Sequence, residues 1–128
     1  MFYRRIYVKF EKEGIHAYPE AATNPILKDV SFLANPHRHI FKFKVWMSVL
    51  HNERDVEFIL LKRYCESLYN QNFLYLDNKS CETMAEELVV MLYRKYPYRE
   101  ITVQVSEDGE NGAIIEYFPD YMPQNQNP

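Results

Sequence analysis

The stretch PHRHIFKFKVWMSVL, residues 36–50, carries the longest strand pattern in the chain and decides the predicted fold. Side chains alternate between the two faces of a strand, so apolar residues at every second position form one row. That row consists of Phe41, Phe43, Val45, Met47 and Val49. His37 and His39 share its parity and therefore stand at the end of a row that faces the core.

Four strand patterns and two helix patterns predict the architecture. The predicted strands span 2–10, 37–50, 101–107 and 113–118, and the predicted helices span 55–70 and 80–96. Each strand has one apolar face, and two amphipathic helices need a surface to cover. The order strand, strand, helix, helix, strand, strand therefore predicts an α+β fold, with a four-stranded antiparallel sheet and both helices on one face.

Helical spacing predicts which residues of the two helices face the sheet. In the first helix these are Val56, Ile59, Leu60, Tyr64 and Leu68. In the second helix they are Met84, Ala85, Leu88, Val89, Leu92 and Tyr96. Ser80 is placed to cap the second helix, Glu82 lies in its first turn, and Pro97 stops it.

The segments between these elements are predicted to be irregular. Residues 11–36 show no hydrophobic period and contain three prolines, so they are predicted to form a long loop. A loop of that length inside a compact domain often carries function. Residues 72–78 are predicted to be a short aromatic connector, and residues 108–112 a hairpin turn.

Length, charge and cysteine content narrow the class of protein. At 128 residues the chain is predicted to be one domain, assigned to 1–118, with a polar, flexible tail at 119–128. The net charge of -3 gives no electrostatic reason to expect nucleic acid or a membrane surface as a partner. Cys65 and Cys81 form no CxxC pair, and no transmembrane or signal segment is evident, so a cytoplasmic location is expected.

Two histidines at the end of a buried row are half of a metal site. His51 lies at the far end of the same strand, on the order of 40 Å away, and cannot join them. His16 lies in the preceding loop and can fold back. Three neutral imidazoles suit zinc and leave a fourth position open for water or substrate. The alternative is that His37 and His39 are ordinary core or edge histidines with hydrogen-bond partners.

A carboxylate has the same placement on the third predicted strand. Glu107 keeps the parity of Ile101, Val103 and Val105, and a charge on an apolar row must be paired or hydrogen-bonded. It could anchor a heterocycle by accepting hydrogen bonds from ring N–H groups. The alternative is that the strand ends at Val105 and Glu107 is a turn residue. Cys81, near a helix N-terminus, is a weaker candidate for a reactive thiol.

Together these features resemble the 6-pyruvoyl-tetrahydropterin synthase and 6-carboxytetrahydropterin synthase family, whose fold is the T-fold ββααββ unit. The resemblance spans residues 2–118. The motifs that carry it are IHA at 15–17, PHRH at 36–39, VEFILLK at 56–62, SCETMA at 80–85 and VSED at 105–108. PHRH is similar to the family's Leu-His-Gly-His strand, and VSED to the Val-x-Glu-Thr motif whose glutamate holds the pterin.

The resemblance implies a role for each candidate residue. His16, His37 and His39 would bind zinc, and Glu107 would anchor a pterin-like ring. In the family, zinc polarises substrate oxygens while a cysteine moves the proton, assisted by an Asp-His pair. The resemblance also implies a homo-oligomer with a hexamer-like assembly and sites at subunit interfaces.

The chain departs from the family at the residues that transfer protons. Leu33 stands where the family has its cysteine, and no cysteine occurs before Asn52. Tyr69-Asn70 stands near the place of the Asp-His pair, and no histidine follows His51. Arg38 replaces the central glycine of His-Gly-His and is expected to add charge beside the site.

Two functions therefore stand nearly level from sequence alone. One is a pterin-synthase-like lyase or hydrolase that uses zinc and a replacement base, for which the candidates are Glu20, Asp29, Tyr69 and Cys81. The other is a protein that keeps zinc and a pocket for a pterin- or purine-like small molecule without turnover. A third, less favoured, is an oligomeric interaction protein that has lost the synthase activity.

Overall fold

The computed structural model describes residues 1–121 as an α+β fold built on a five-stranded sheet. The strands are β1 (Arg4–His16), β2 (His37–Val49), β3 (Phe73–Tyr75), β4 (Ile101–Glu107) and β5 (Asn111–Tyr117), and the helices are α1 (Phe58–Ser67) and α2 (Cys81–Lys95). The sheet order is β3-β1-β2-β4-β5, and every pair is antiparallel except β1 with β3. The predicted fold class is confirmed, with one strand more than expected.

The core lies between one face of the sheet and the two α-helices. The fully buried row of β2 consists of Phe41, Phe43, Val45 and Met47, as its parity predicts. Phe43 stacks on Phe10 of β1 with ring centroids 4.6 Å apart. Each of these large side chains contributes about 1.5–3 kcal/mol by leaving water. The row fixes the register of β2 and thereby the positions of the two histidines at its start.

The predicted loop at 11–36 is wrong in its first part, because β1 does not end at Phe10 but continues to His16. Charged residues at 11–13 interrupt the apolar alternation, but the backbone there pairs with β2 over its whole length, from Arg4 opposite Val49 to His16 opposite His37. The remainder contains two short 3₁₀ segments, Pro19–Ala22 and Pro25–Ala34, the second kinked at Val30.

The predicted aromatic connector at 72–78 contains the fifth strand. β3 pairs with β1 in parallel, with Leu74 opposite Gly14. A Cβ on Gly14 would lie 3.0 Å from the Leu74 carbonyl oxygen and 3.1 Å from the Phe41 ring, so a side chain there would crowd both, and glycine suits this close approach. The approach brings residues 76–80 alongside the end of β1.

The face predicted for the first helix is partly wrong. α1 begins at Phe58, three residues after the predicted start, with Glu57 capping the Ile59 N–H at 2.7 Å. Its fully buried side chains are Leu61 and Cys65, whereas Ile59 and Leu60 are 50% and 61% exposed. The row that packs into the core is therefore that of Leu61 and Cys65, one position along from the predicted row of Leu60 and Tyr64.

The second helix agrees with its prediction. Ser80 Oγ accepts the Thr83 N–H at 3.1 Å, and Glu82 lies in the first turn. The buried residues are Cys81, Met84, Ala85, Leu88, Val89 and Leu92. No helix within residues 1–121 is long and apolar enough to cross a membrane.

A tight hairpin joins β4 to β5. Asp108 and Gly109 have φ angles of 58° and 76°, the positive values that Asp-Gly turns adopt. The turn is shorter than predicted, because β5 begins at Asn111 instead of 113. Most of the predicted tail, from residue 122 onward, lies outside the described residues.

Candidate metal centre

Three of the four histidines meet at one end of the sheet. His16 is the last residue of β1, and it lies directly opposite His37, the first residue of β2. His39 follows two positions later on the same face. The ring centroids are 4.6 Å apart for His16 and His37, 5.4 Å for His16 and His39, and 5.0 Å for His37 and His39. The structure thus brings together the three residues predicted to bind zinc.

The outer nitrogen of each imidazole is held by a different acceptor. His16 Nδ1 lies 2.8 Å from the Lys79 carbonyl oxygen, and His37 Nδ1 lies 2.8 Å from the Asn35 carbonyl oxygen. Because a carbonyl oxygen can only accept, each of these Nδ1 atoms carries the hydrogen. In the neutral imidazole, the Nε2 atom is then a bare acceptor.

The third imidazole is held by a carboxylate. His39 Nδ1 lies 2.7 Å from Asp108 Oδ2, while Asp108 Oδ1 accepts the Ile40 N–H at 2.9 Å. The hydrogen bond from the Ile40 N–H is the main reason that the pKa of Asp108 lies below its ordinary value, and the hydrogen bond from His39 lowers this pKa further. A carboxylate behind an imidazole is a common outer partner of metal-binding histidines, because it fixes the ring and makes its inner nitrogen a better donor.

A fourth donor faces the same point. Glu107, the last residue of β4, places Oε2 at 2.8 Å from His16 Nε2 and 3.5 Å from His39 Nε2. The potential ligand atoms of His16, His37, His39 and Glu107 all lie within 4.8 Å of one another. Three imidazole nitrogens and one carboxylate oxygen form a donor set that zinc accepts.

The inner nitrogens of this group are unsatisfied within the described chain. His16 Nε2 and His39 Nε2 are buried and have no hydrogen-bond partner there, although Glu107 Oε2 is close. An orphaned buried acceptor costs about 1–3 kcal/mol. An imidazole lone pair and a carboxylate oxygen at this distance also repel each other unless a cation lies between them. The residues therefore fit a bound metal ion.

A cleft opens beside the histidines. Its volume is about 440 Å³, within the range of small-molecule sites. The lining includes His16, His37 and Glu107 from the metal group, and Tyr18, Leu33 and Cys81 around them. The cleft therefore gives a small molecule access to Glu107 and to two of the histidines.

Of the four candidate bases, two have pKa values raised by burial and two lie on the surface. Burial raises the pKa of the Cys81 thiol to about 12, and the nearby carboxylate of Glu107 adds to the rise, so the expected helix-dipole activation fails. Burial likewise raises the pKa of Tyr69, whose ring packs against Phe43 at 4.9 Å. Glu20 and Asp29 lie on the exposed surface of the 3₁₀ segments.

Of two further residues, Arg38 lies differently from what the sequence suggested, whereas His51 lies beyond the far end of β2 as predicted. Arg38 does not add charge beside the site, because it points to the opposite face, pairs with Glu13 at 2.7 Å and covers the Phe73 ring. His51 is remote from the site and accepts the Glu53 N–H in its own turn.

The outer partners of the histidines were missed by sequence reasoning. Lys79 and Asn35 act through backbone carbonyl oxygens, which leave no trace in residue type. Asp108 had a signal, because an acid directly after Glu107 in a tight turn is held close to the end of β2.

Comparisons with known proteins establish the fold. No family model and no curated protein sequence matches the chain. Among solved structures, 6-pyruvoyl tetrahydropterin synthase from Plasmodium falciparum is similar over 91% of this chain and 98% of its own, with a TM-score of 0.66 and 13% identity. The P. vivax enzyme, as a catalytic residue mutant with glutamate changed to cysteine, covers 92% of this chain and 99% of its own, with a TM-score of 0.58 and 12% identity.

The class of fold is thus the T-fold, with a histidine cluster at one end of its sheet. More particularly, it is the fold of the 6-pyruvoyl tetrahydropterin synthases, and the resemblance predicted from the sequence motifs is confirmed at the level of the fold.

Proposed function

We propose that this chain is a zinc-binding protein of the pterin-synthase type that binds a pterin- or purine-like small molecule. His16, His37 and His39 hold the metal, and Glu107 anchors the heterocycle. The observation that carries the proposal is the convergence of buried Nε2 acceptors on a carboxylate, with their Nδ1 atoms already bonded to outer partners. A metal cation bound by these atoms resolves that arrangement.

The cleft leaves Glu107 accessible to a small molecule. Glu107 stands at its wall with 27% of its side chain exposed, so a carboxylate oxygen can accept N–H groups from a heterocycle. Zinc, when bound, would polarise an oxygen of the bound molecule as a Lewis acid. Similarity in fold to the 6-pyruvoyl tetrahydropterin synthases supports a ring of the pterin class.

Binding without turnover is the reading that the residues favour. Leu33, which lines the cleft at the position of the family's cysteine, cannot take a proton. Cys81 and Tyr69 hold their protons at neutral pH, because burial raises the pKa of each. A lyase activity would require a base other than these residues.

We further propose that the protein is a homo-oligomer joined through its sheet edges. Among the described residues, β5 pairs on one side alone, and β1 has no second partner strand from Arg4 to Lys12. Open edges are normally covered or paired. Exposed apolar side chains stand on both, with Tyr7 58% and Ile114 53% exposed.

Calorimetry on zinc-loaded protein tests the ligand proposal. Dihydroneopterin triphosphate, dihydroneopterin and guanine are titrated into wild type, Glu107→Ala and the control Glu110→Ala, which removes a carboxylate from the same hairpin. The proposal predicts binding to wild type and to the control, and loss of binding in Glu107→Ala. Absence of binding by every ring would overturn it.

The same mixtures, analysed by chromatography, separate binding from turnover. Unchanged dihydroneopterin triphosphate supports the binding protein, whereas formation of a pterin product establishes a lyase and overturns the reading without turnover.

A further inference from the structure

The position of Glu107 does not match a residue that serves only as a ring anchor. A carboxylate that only anchors a ring in the cleft has no need to face the metal-binding nitrogens. Here Oε2 is turned to the histidines and lies 2.8 Å from His16 Nε2 and 3.5 Å from His39 Nε2.

We infer that Glu107 is a fourth protein ligand of the metal, so that the centre is a four-coordinate site of three histidines and one glutamate. The inference rests on the proposed metal centre and deepens it. It goes beyond the resemblance, which assigns Glu107 to the ring and leaves the fourth metal position open.

Interatomic distances support direct ligation. Zinc binds imidazole nitrogen and carboxylate oxygen at about 2.0–2.2 Å, so two ligand atoms of a tetrahedral site lie about 3.3–3.5 Å apart. The separation of 3.5 Å between His39 Nε2 and Glu107 Oε2 agrees with this value. The 2.8 Å separation from His16 Nε2 is shorter, and a small side-chain rotation would open it. All four donors already lie within 4.8 Å of one another.

The backbone holds the carboxylate in this direction. Glu107 pairs with Phe41 at the end of β4. Two hydrogen bonds close the turn that follows. The Asp108 N–H donates to the Ile40 carbonyl oxygen at 2.8 Å, and the Glu110 N–H donates to the Glu107 carbonyl oxygen at 3.0 Å. Glu107 is therefore set at the site by the sheet, as the histidines are, and its approach to them is a property of the fold.

A four-ligand centre has a consequence for function. Sites with four protein ligands are typical of structural zinc, whereas catalytic sites keep a position open. Ligation through Oε2 leaves Oε1 of the same carboxylate to accept a ring N–H. The metal and the ring can thus share Glu107, and the centre holds a molecule without needing the base that the chain lacks.

Metal affinity and cobalt absorption test the inference. Zinc affinity is measured by competition with a chelator, and the visible spectrum of the Co²⁺-loaded protein reports its coordination. The variants are Glu107→Gln, which keeps shape and removes charge, Glu107→Asp, which keeps charge and shortens reach, and the matched control Glu110→Gln. Thermal unfolding of the metal-free proteins verifies that each variant folds.

Direct ligation predicts that both Glu107 variants lose more than about a hundredfold in zinc affinity, beyond the range of outer-shell changes. Both should also change the cobalt spectrum, and Glu110→Gln should match wild type. A smaller loss with the wild-type cobalt spectrum would mark an outer-shell role and overturn the inference.

Wild-type affinity and spectrum in Glu107→Asp would overturn the inference, because a nearby charge would then suffice. Unchanged affinity in both variants would overturn it as well. If the wild type binds neither metal, the proposed metal centre itself fails. Failure of the inference about Glu107 alone can thus be distinguished from failure of the metal centre, because in the first case the wild type still binds metal.

Discussion

The two ends of β2 differ in whether their buried polar atoms have hydrogen-bond partners. At the arginine end, formed by Ser48, Asp55 and Arg99, Arg99 Nη1 donates to Asp55 Oδ2 at 2.8 Å and to the Ser48 carbonyl at 3.1 Å. Asp55 Oδ2 also accepts the Leu50 N–H at 2.8 Å. At the histidine end, formed by His16, His37, His39 and Glu107, two buried nitrogens lack a partner in the described chain.

This difference links the arginine end to stability and the histidine end to binding. The arginine end closes its polar network within the chain, so it serves the fold and needs no other molecule. At the histidine end the Nδ1 atoms have hydrogen-bond partners, whereas the Nε2 atoms of His16 and His39 have none within the described chain. This is the pattern of a cation-binding site. A variant at one end should therefore change a property that a variant at the other leaves alone.

The largest expected effect is on metal binding by His16→Ala. Loss of a direct ligand should lower zinc affinity by more than about a hundredfold, the upper range for outer-shell changes. Chelator competition measures it, with Asp55→Ala as the control from the opposite end. Equal zinc affinity in His16→Ala and wild type would remove the distinction between the ends.

Asp55→Ala should have the next largest effect, on stability. Asp55 and Arg99 are 13% and 18% exposed, and removal of one partner from a buried ion pair costs about 3 kcal/mol. Urea unfolding of the zinc-free protein measures the free energy of unfolding. Zinc affinity should stay at the wild-type value, and a loss comparable to that of His16→Ala would show that the two ends are not separate.

Asp108→Asn should weaken zinc binding by about 10- to 100-fold with little change in the stability of the zinc-free protein. The carboxylate accepts the Ile40 N–H at one oxygen and His39 Nδ1 at the other, and in the amide one of these two positions becomes an NH2 donor. Chelator competition provides the measurement. A loss of stability with unchanged zinc affinity would contradict this, because Asp108 would then stabilise the fold, as the arginine end does, and not the metal site.

The smallest effect concerns acid stability at the arginine end. Hydrogen bonding from Arg99, with smaller contributions from the Leu50 N–H and the neighbouring charges, lowers the pKa of Asp55 below its ordinary value of 3.8. The stabilisation is then complete above that value and is lost as the pH falls through the lowered pKa. Urea unfolding of zinc-free protein between about pH 5 and pH 3 should show a steeper loss for wild type than for Asp55→Asn. Identical slopes would contradict this.

Much of the fold could be predicted, because β2 and α2 follow simple periodic patterns. The elements that were missed depend on partners. The end of β1 is polar and is a strand because β2 lies beside it. β3 has three residues, too few for a pattern, and forms because Gly14 permits a close approach.

The site was predicted less completely than the fold. Parity along β2 placed His37 and His39 on the inner face, and His16, in the segment before β2, was the histidine that could reach them. The sequence could not show that Lys79 and Asn35 supply backbone acceptors, because any residue has a carbonyl. It also could not show that Glu107 lies within reach of the histidines, because that distance depends on the register between β2 and β4.

Metal analysis of purified protein tests the central claim most directly. Wild type, His37→Ala and the control His51→Ala, which removes the one histidine remote from the site, are exposed to zinc, desalted and assayed for bound metal. The account predicts stoichiometric zinc in wild type and in His51→Ala, and loss of zinc in His37→Ala. Wild-type protein that retains no zinc, or His37→Ala that retains as much as wild type, would contradict it.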